Sequence, residues 1–240
     1  MLYVLLFSCY DMNIDFNLIK EQEMAMSYDI YDAIFDLDKE KLEEILNKDP
    51  NQINLRLNPV APVEEATGYD LQGKYCLPLE VLVAYDEKKH ADKTNELFDI
   101  LVAHGAKPEA VSAYENNTLI HDAASMGNTY IMRQALKAGV DINAIDEHGN
   151  TALHYAVSNL HLKASQFIIN HGGELSTTIQ NKEDKLPIAM VKDFWKQNEK
   201  YHEAIEKVTE YLKPITENQL QKVFSEGFEP DLNHHKRVKP

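Results

Sequence analysis

The sequence repeats itself at an interval of 33 residues. Segment 118–124 returns at 151–157, and both copies begin with threonine and carry histidine at the fourth position. A second landmark, a glycine that follows an apolar run, stands at Gly105, Gly139 and Gly172, separated by 34 and 33 residues. Because two independent landmarks share one interval, the chain is predicted to stack similar units, each burying apolar side chains only against its neighbours.

This unit resembles the ankyrin repeat, a turn followed by two antiparallel helices of about 33 residues in all. The resemblance implies that Thr118 and Thr151 cap the first helix of a unit. It also implies that His121 and His154 tie each turn to the next repeat by hydrogen bonds. The three glycines match the position where left-handed backbone ends the second helix. The matched hairpin positions are Asn143, Asp146 and Gly149.

The resemblance implies an all-α fold, an ankyrin-repeat solenoid of about five helix-turn-helix repeats with helical end caps. Two units are well formed and three are degenerate. Segments 77–80 and 186–189 look like first-helix starts, with Glu80 and Ala189 in the place of the histidine. The predicted division is 1–25 as an N-terminal segment or cap, 26–213 as the solenoid, 214–228 as a C-terminal capping helix, and 229–240 as a basic mobile tail.

Three stretches depart from the family pattern. The insertion at 54–76 is far longer than a hairpin, so it is either a functional loop with Tyr69 as a contact residue or a solvated insertion. Residues 86–95 are charged and are predicted to form a solvent-exposed bulge between the two helices of the second unit. Leu160 stands where the family often has glycine, so that turn is expected to differ in shape.

Composition limits the function. Lys and Arg number 24 against 39 Asp and Glu, a net charge of −15, and an acidic surface repels phosphate backbones. We therefore expect no nucleic-acid ligand. The apolar run at 2–7 is too short to span a bilayer. Two cysteines rule out a disulfide framework and favour a reducing compartment, which predicts a cytoplasmic location, or the host-cell cytosol for an effector.

Motifs that would carry catalysis are absent from the sequence. It contains no phosphate-binding glycine loop, no nucleophile elbow, no kinase signature and no zinc-protease helix motif. We therefore expect a chain that is not an enzyme and that has no cofactor and no catalytic or metal-binding residues. The alternative is an enzyme or regulator with its site in the 54–76 insertion or in the C-terminal region.

The resemblance implies protein binding through a concave surface of hairpin tips and first helices. Tyrosine and methionine are frequent anchors of interfaces, although Met126 and Phe194 could instead pack between repeats. An acidic rim at Glu115, Asp122 and Glu147 favours a partner that bears Lys or Arg. The chain is expected to be a monomer and is similar to translocated bacterial ankyrin effectors. The candidate partner-binding residues are Tyr114, Glu115, Asp122, Met126, Glu147, His148, Tyr155, Asn159, Lys182, Phe194 and Tyr69.

Overall fold

The structure, a computed structural model, describes residues 30–54, 77–85, 87–108, 117–191 and 196–226. All regular elements in these ranges are helices, as the resemblance implies. The α-helices are α1 (30–35), α2 (Lys39–Lys48), α3 (Pro78–Val81), α4 (Glu87–Ala103), α5 (Leu119–Met126), α6 (Thr129–Lys137), α7 (Ala152–Ser158), α8 (Leu162–Asn170) and α9 (His202–Glu226). Short 3-10 helices cover Pro50–Asn54, Leu82–Ala84, Leu175–Thr178, Pro187–Met190 and Glu199–Tyr201.

Successive units pack on one another through their first helices. Helix α5 contacts its own partner α6 and the next first helix, α7, which in turn contacts the 3-10 helix Pro187–Met190. One apolar cluster runs without interruption from Ile30 to Leu212. The repeat positions predicted to pack are buried within it, among them Leu119, Ala123, Leu153 and Ile168. The core is therefore a continuous strip shared by neighbouring units.

Histidine closes the start of each well-formed first helix. The Thr118 N–H donates to His121 Nδ1 at 3.1 Å, and the Thr151 N–H donates to His154 Nδ1 at 3.0 Å. In the degenerate second unit the carboxylate of Glu80 does the same work, accepting the Leu77 N–H at 2.8 Å. Such bonds satisfy backbone donors that a helix leaves unpaired at its N-terminus. The Ala189 side chain offers no acceptor, and the described residues at this start form the 3-10 helix Pro187–Met190.

The turn at Leu160 keeps the shape of its counterpart, so the prediction of a different turn is wrong. Leu160 adopts φ +61° and Gly127, one repeat earlier, adopts φ +73°. The Leu160 N–H donates to Val157 and the next N–H donates to Ala156, the same pattern that follows α5. Packing between repeats imposes this geometry, although left-handed backbone costs leucine about 1–2 kcal/mol.

The predicted bulge at 86–95 is also wrong from Glu87 onward. Residues 87–95 belong to α4, a helix of 17 residues. This stretch contains Glu, Lys and Ala, three residue types that favour helix strongly. A buried stripe of Thr94, Leu97, Phe98 and Leu101 then anchors the helix to the core. High local propensity thus extended the second helix toward its N-terminus where the sequence suggested a longer turn.

Helix α9 runs through the boundary predicted at residue 214. This helix of 25 residues contains Pro214, which has no N–H to donate to the Glu210 carbonyl. Because Pro214 and Glu210 are both exposed, that carbonyl can bond to water instead. Val208 and Leu212 are buried against the stack, whereas Phe224 is 81% exposed. The expected short closing helix is therefore the distal part of one long helix. No helix in the described ranges combines the length and the apolar character needed to cross a bilayer.

Candidate functional site

The hairpin at 141–150 is organised by one buried carboxylate. Asp146, which is 6% exposed, accepts the His148 N–H at 2.7 Å and the Asn150 N–H at 2.8 Å through Oδ1. Its own N–H donates to the Asn150 carbonyl, and Gly149 supplies the left-handed turn at φ +77°. These bonds hold the tip in one conformation, so that Glu147 and His148 project from it with their side chains exposed.

The next hairpin copies this arrangement with different residues. Asn181 Oδ1 accepts the N–H groups of Glu183 and Lys185, both at 3.0 Å, and Asp184 takes the left-handed position at φ +57°. Two hydrogen bonds join the hairpins: the Lys182 N–H donates to the His148 carbonyl at 2.8 Å, and Asn181 Nδ2 donates to Asn150 Oδ1 at 2.9 Å. The two tips therefore form one edge, which exposes Glu147, His148 and Lys182.

Both repeat histidines lie beneath this edge, fully buried. Because each Nδ1 accepts a backbone N–H, the proton is on Nε2. The Nε2 N–H of His121 donates to the Ala144 carbonyl at 3.0 Å. The Nε2 N–H of His154 donates to the Lys185 carbonyl at 3.1 Å. Burial lowers the pKa of His121 and lowers the pKa of His154 to about 4. The expected tie from the turn to the next repeat is confirmed for His154, and both imidazoles are neutral structural groups.

Tyr155 and Met126 lie on the first helices, half-buried against the core. The Tyr155 hydroxyl donates to Asp146 Oδ2 at 2.6 Å, and its ring meets the His121 ring edge-on with centroids 5.9 Å apart. The hairpin carboxylate thus also orients the aromatic ring. A partner would meet Tyr155 already fixed in place, which reduces the entropy lost on binding.

Asp122 and Asn159 lie on the same side of the stack. Asn159 follows α7, and its Nδ2 donates to Ser125 Oγ of α5 at 3.2 Å and to the Tyr155 carbonyl at 3.1 Å. Asp122 is half-exposed at the first turn of α5, with Asn117 Nδ2 3.5 Å from its Oδ1. Asn159 thus links successive first helices, beside the positions predicted to contact a partner.

The hairpin edge is acidic. Segments 141–150 and 179–186 carry five carboxylates and two lysines. One of these lysines is Lys185, whose Nζ lies 2.7 Å from Glu183 Oε2. His148 Nε2 lies 3.8 Å from Glu147 Oε1. The described part of the candidate surface therefore presents carboxylates and hydrogen-bonding groups to the outside.

The structure thus brings part of the predicted site together. Glu147, His148 and Lys182 share the hairpin edge, and Tyr155 joins it through Asp146. Asp146 was predicted only as a hairpin residue. Its hydrogen bond with the Tyr155 hydroxyl, nine residues further along the chain, depends on the folded hairpin. Four candidates lie outside the described residues: Tyr114, Glu115, Phe194 and Tyr69. Within the described ranges, no three His, Cys, Asp or Glu side chains are grouped as a metal site would require.

Sequence comparison agrees with this architecture. Residues 88–179 match the profile of a family described as ankyrin repeats in three copies. The E3 ubiquitin-protein ligase KEG of Arabidopsis thaliana is 31% identical over 109 residues, which is 45% of this chain and 6% of that protein. Mouse Rabankyrin-5 is 32% identical over 93 residues, 39% of this chain and 8% of that protein.

A shorter relative matches a smaller share of this chain but a larger share of its own length. The ankyrin repeat-containing protein P1E11.10 of Schizosaccharomyces pombe is 36% identical over 64 residues, which is 27% of this chain and 31% of that protein. The matched segments thus span between 6% and 31% of the length of these three relatives. What is shared is the repeat itself.

Proposed function

We propose that this chain, an ankyrin-repeat protein, is a non-catalytic module that binds a protein partner along its hairpin tips and first helices. Ankyrin repeats indicate a protein–protein interaction module. The observation that carries the proposal is the hydrogen bond from the Lys182 N–H to the His148 carbonyl, which makes one edge of two hairpins. Glu147, His148 and Lys182 are exposed along that edge, where a partner can reach all three.

Two further observations support binding over catalysis. Both ring nitrogens of His121 and of His154 already bond to the backbone, so neither imidazole is placed to accept a substrate proton. Tyr155 is held by Asp146 in one orientation, which suits an interface anchor. We propose that four candidates outside the described residues extend the same contact surface: Tyr114, Glu115, Phe194 and Tyr69.

The partner is proposed to carry a surface with Lys or Arg. Five carboxylates and two lysines in the hairpin segments give the edge an acidic character. Opposite charge across an interface raises the rate of association more than it raises the affinity. We further propose that the chain acts as a monomer in the cytosol. If it is a translocated effector, that compartment is the cytosol of a host cell. The degenerate units and the long 54–76 insertion support the effector role, which a translocation reporter fused to the chain would test.

Reversing one edge charge tests where the partner binds. We expect Glu147→Lys to weaken capture of a basic partner at low salt, because an attraction becomes a repulsion at an exposed edge. Glu43→Lys is the matched control, since Glu43 is an exposed glutamate on α2, away from the edge. The measurement is affinity capture with quantitative mass spectrometry, followed by association rates for each captured protein. Equal loss with both variants would contradict the proposal.

Photo-crosslinking gives an independent readout. A crosslinking amino acid at position 148 should trap the partner that Glu147→Lys loses, whereas the same amino acid at position 44, exposed on α2, should not. Crosslinking at 44 and not at 148 would place the contact on another face and overturn the proposed surface.

A further inference from the structure

Two neighbouring second helices carry basic residues and no acidic ones. Helices α6 and α8 contain Arg133, Lys137 and Lys163 and have neither Asp nor Glu, in a chain where acidic residues outnumber basic ones by 39 to 24. The second helices of the earlier units are different. On α2 and α4 the exposed positions include Glu40, Glu43, Glu44, Asp92, Glu96 and Asp99.

Contacts between the two helices make these cations one surface. The Arg133 guanidinium lies over the Phe167 ring, 5.3 Å from its centroid, and so bridges α6 to α8. Lys137 is four residues beyond Arg133, and Lys163 is four residues before Phe167, so each shares a helix face with its neighbour. The His171 ring also stacks on the Phe167 ring, with the two ring centroids 4.0 Å apart. We call Arg133, Lys137, Lys163, Phe167 and His171 the basic ridge.

The three cations of the basic ridge are exposed, and none of them forms an ion pair with a carboxylate of the described residues. Other lysines of the described residues form ion pairs: Lys39 with Glu96, Lys185 with Glu183, and Lys207 with Glu203. His171 Nδ1 donates to the Phe167 carbonyl at 2.7 Å, which orients the ring and leaves Nε2 as its other polar atom. The ridge thus presents cationic donors whose charges are not neutralised by described neighbours.

We propose that the basic ridge is a second interaction surface, which binds a short acidic segment of a protein. Lysine and arginine donors suit Asp and Glu carboxylates, and the guanidinium, held over Phe167, can bind one of them with two parallel bonds. The ridge lies on second helices, whereas the hairpin edge and the first helices form the surface proposed above. The two proposals are therefore independent, and failure of either one leaves the other standing.

The charge of the whole chain favours a short peptide over an extended polyanion. Among the exposed residues of α2, α4 and the hairpin edge, acidic side chains outnumber basic ones, and the chain carries a net charge of −15. A nucleic acid or an anionic membrane would extend beyond three cations and meet that acidic surface, where like charges repel. A peptide with a few consecutive carboxylates matches the ridge without leaving it.

The test uses a fluorescein-labelled hexaglutamate peptide, with a hexaglutamine peptide as the neutral comparison. We expect the full chain to raise the anisotropy of the glutamate peptide only, with an affinity that weakens several-fold between about 50 and about 300 mM salt, because the contacts are exposed. Combining Arg133→Glu, Lys137→Glu and Lys163→Glu should weaken binding by at least about tenfold, since each exposed pair is worth a few-fold and reversal adds repulsion.

The control makes the same charge change on other exposed lysines: Lys48→Glu, Lys213→Glu and Lys222→Glu together should leave binding within about twofold once long-range screening is applied. Single Lys137→Gln and Lys163→Gln variants, checked for folding by circular dichroism, repeat the test if the triple variant unfolds. Equal losses in ridge and control variants would overturn the proposal. So would stronger binding to phosphatidylserine vesicles or to single-stranded DNA, or salt-sensitive self-association of the chain that the ridge variants abolish.

Discussion

At the scale of single residues, the buried histidines show how one side chain connects two levels of structure. Nδ1 of His154 accepts the N–H at the start of its own helix, while the Nε2 proton reaches the Lys185 carbonyl in the next hairpin. Only the neutral ring can accept on one side and donate on the other. Protonation therefore breaks a bond inside the unit, and stability depends on pH.

We expect the free energy of unfolding to fall as the pH drops from 6.5 toward 4. The pKa of His154 is lowered by burial to about 4, so between those values the unfolded chain binds a proton that the folded chain excludes. The loss amounts to about 3 kcal/mol when complete. Burial lowers the pKa of His121 too, which adds to the loss in the same direction. Urea unfolding at a series of pH values measures it.

The comparison variant is His154→Asn, which should be less stable at pH 7.5 and should show a flatter pH dependence between 6.5 and 5. Leu153→Ala is a control that also lowers stability but retains the imidazole, so its pH dependence should parallel that of the unchanged chain. If His154→Asn kept the full slope, the buried neutral histidine would not be its source.

At the scale of elements, the four helices of the two well-formed units all end in a left-handed turn. Gly105, Gly139 and Gly172 end the second helices with φ between +89° and +96°, and the following N–H bonds back into the helix each time. The hairpin turn is a different case. At Gly149 a Cβ atom would lie 3.2 Å from the Asn181 Cα, because the neighbouring hairpin packs directly against it.

Two alanine substitutions separate backbone strain from close approach. Gly139→Ala should destabilise by about 1–2 kcal/mol through the left-handed φ alone, since nothing lies within 4 Å of its added Cβ. Gly149→Ala should lose about 1 kcal/mol more, because the adjacent hairpin must shift. Urea unfolding of both variants measures the difference. If the two variants were equally stable, the hairpins would not be in the close contact described here.

At the scale of the whole molecule, one apolar strip runs through all units, and stability is shared among neighbours. The effect of a large-to-small substitution in the core should therefore depend on its position along the strip. Leu153 lies in α7, the first helix of the second well-formed unit, whereas Leu212 lies in α9 at the end of the stack, and both are buried. The same substitution therefore probes the middle and the end.

Leu153→Ala should lower the stability of the whole array by about 2–5 kcal/mol. Leu212→Ala should instead allow α9 to open before the rest, since only one side of that helix has a described neighbour in the stack. Hydrogen exchange measured by mass spectrometry distinguishes the two: exchange rises throughout 119–170 in the first variant and mainly within 202–226 in the second. Uniform exchange in both variants would mean that the array unfolds as a single unit.

Much of the fold could be predicted where the residue type at a position indicates the local backbone structure directly. The interval between Thr118 and Thr151 and between Gly139 and Gly172 placed the two central units correctly, because capping and left-handed turns depend on neighbouring residues. Prediction was wrong at Leu160 and over 87–95, where packing and helix propensity outweighed the family pattern. Of the candidate site, the exposed hairpin residues could be anticipated, but the bond from Tyr155 to Asp146 could not, since it forms only once the hairpin has folded.

The amino-acid sequence by itself determined the repeat, its helical composition and the residues that start and end each helix, because these are local properties of a segment about 33 residues long. Only the tertiary structure decided which surfaces exist. The joined hairpin edge and the ridge of Arg133, Lys137 and Lys163 each combine residues from two units. Their proximity arises from stacking, and stacking distances are not written in the spacing of any single repeat.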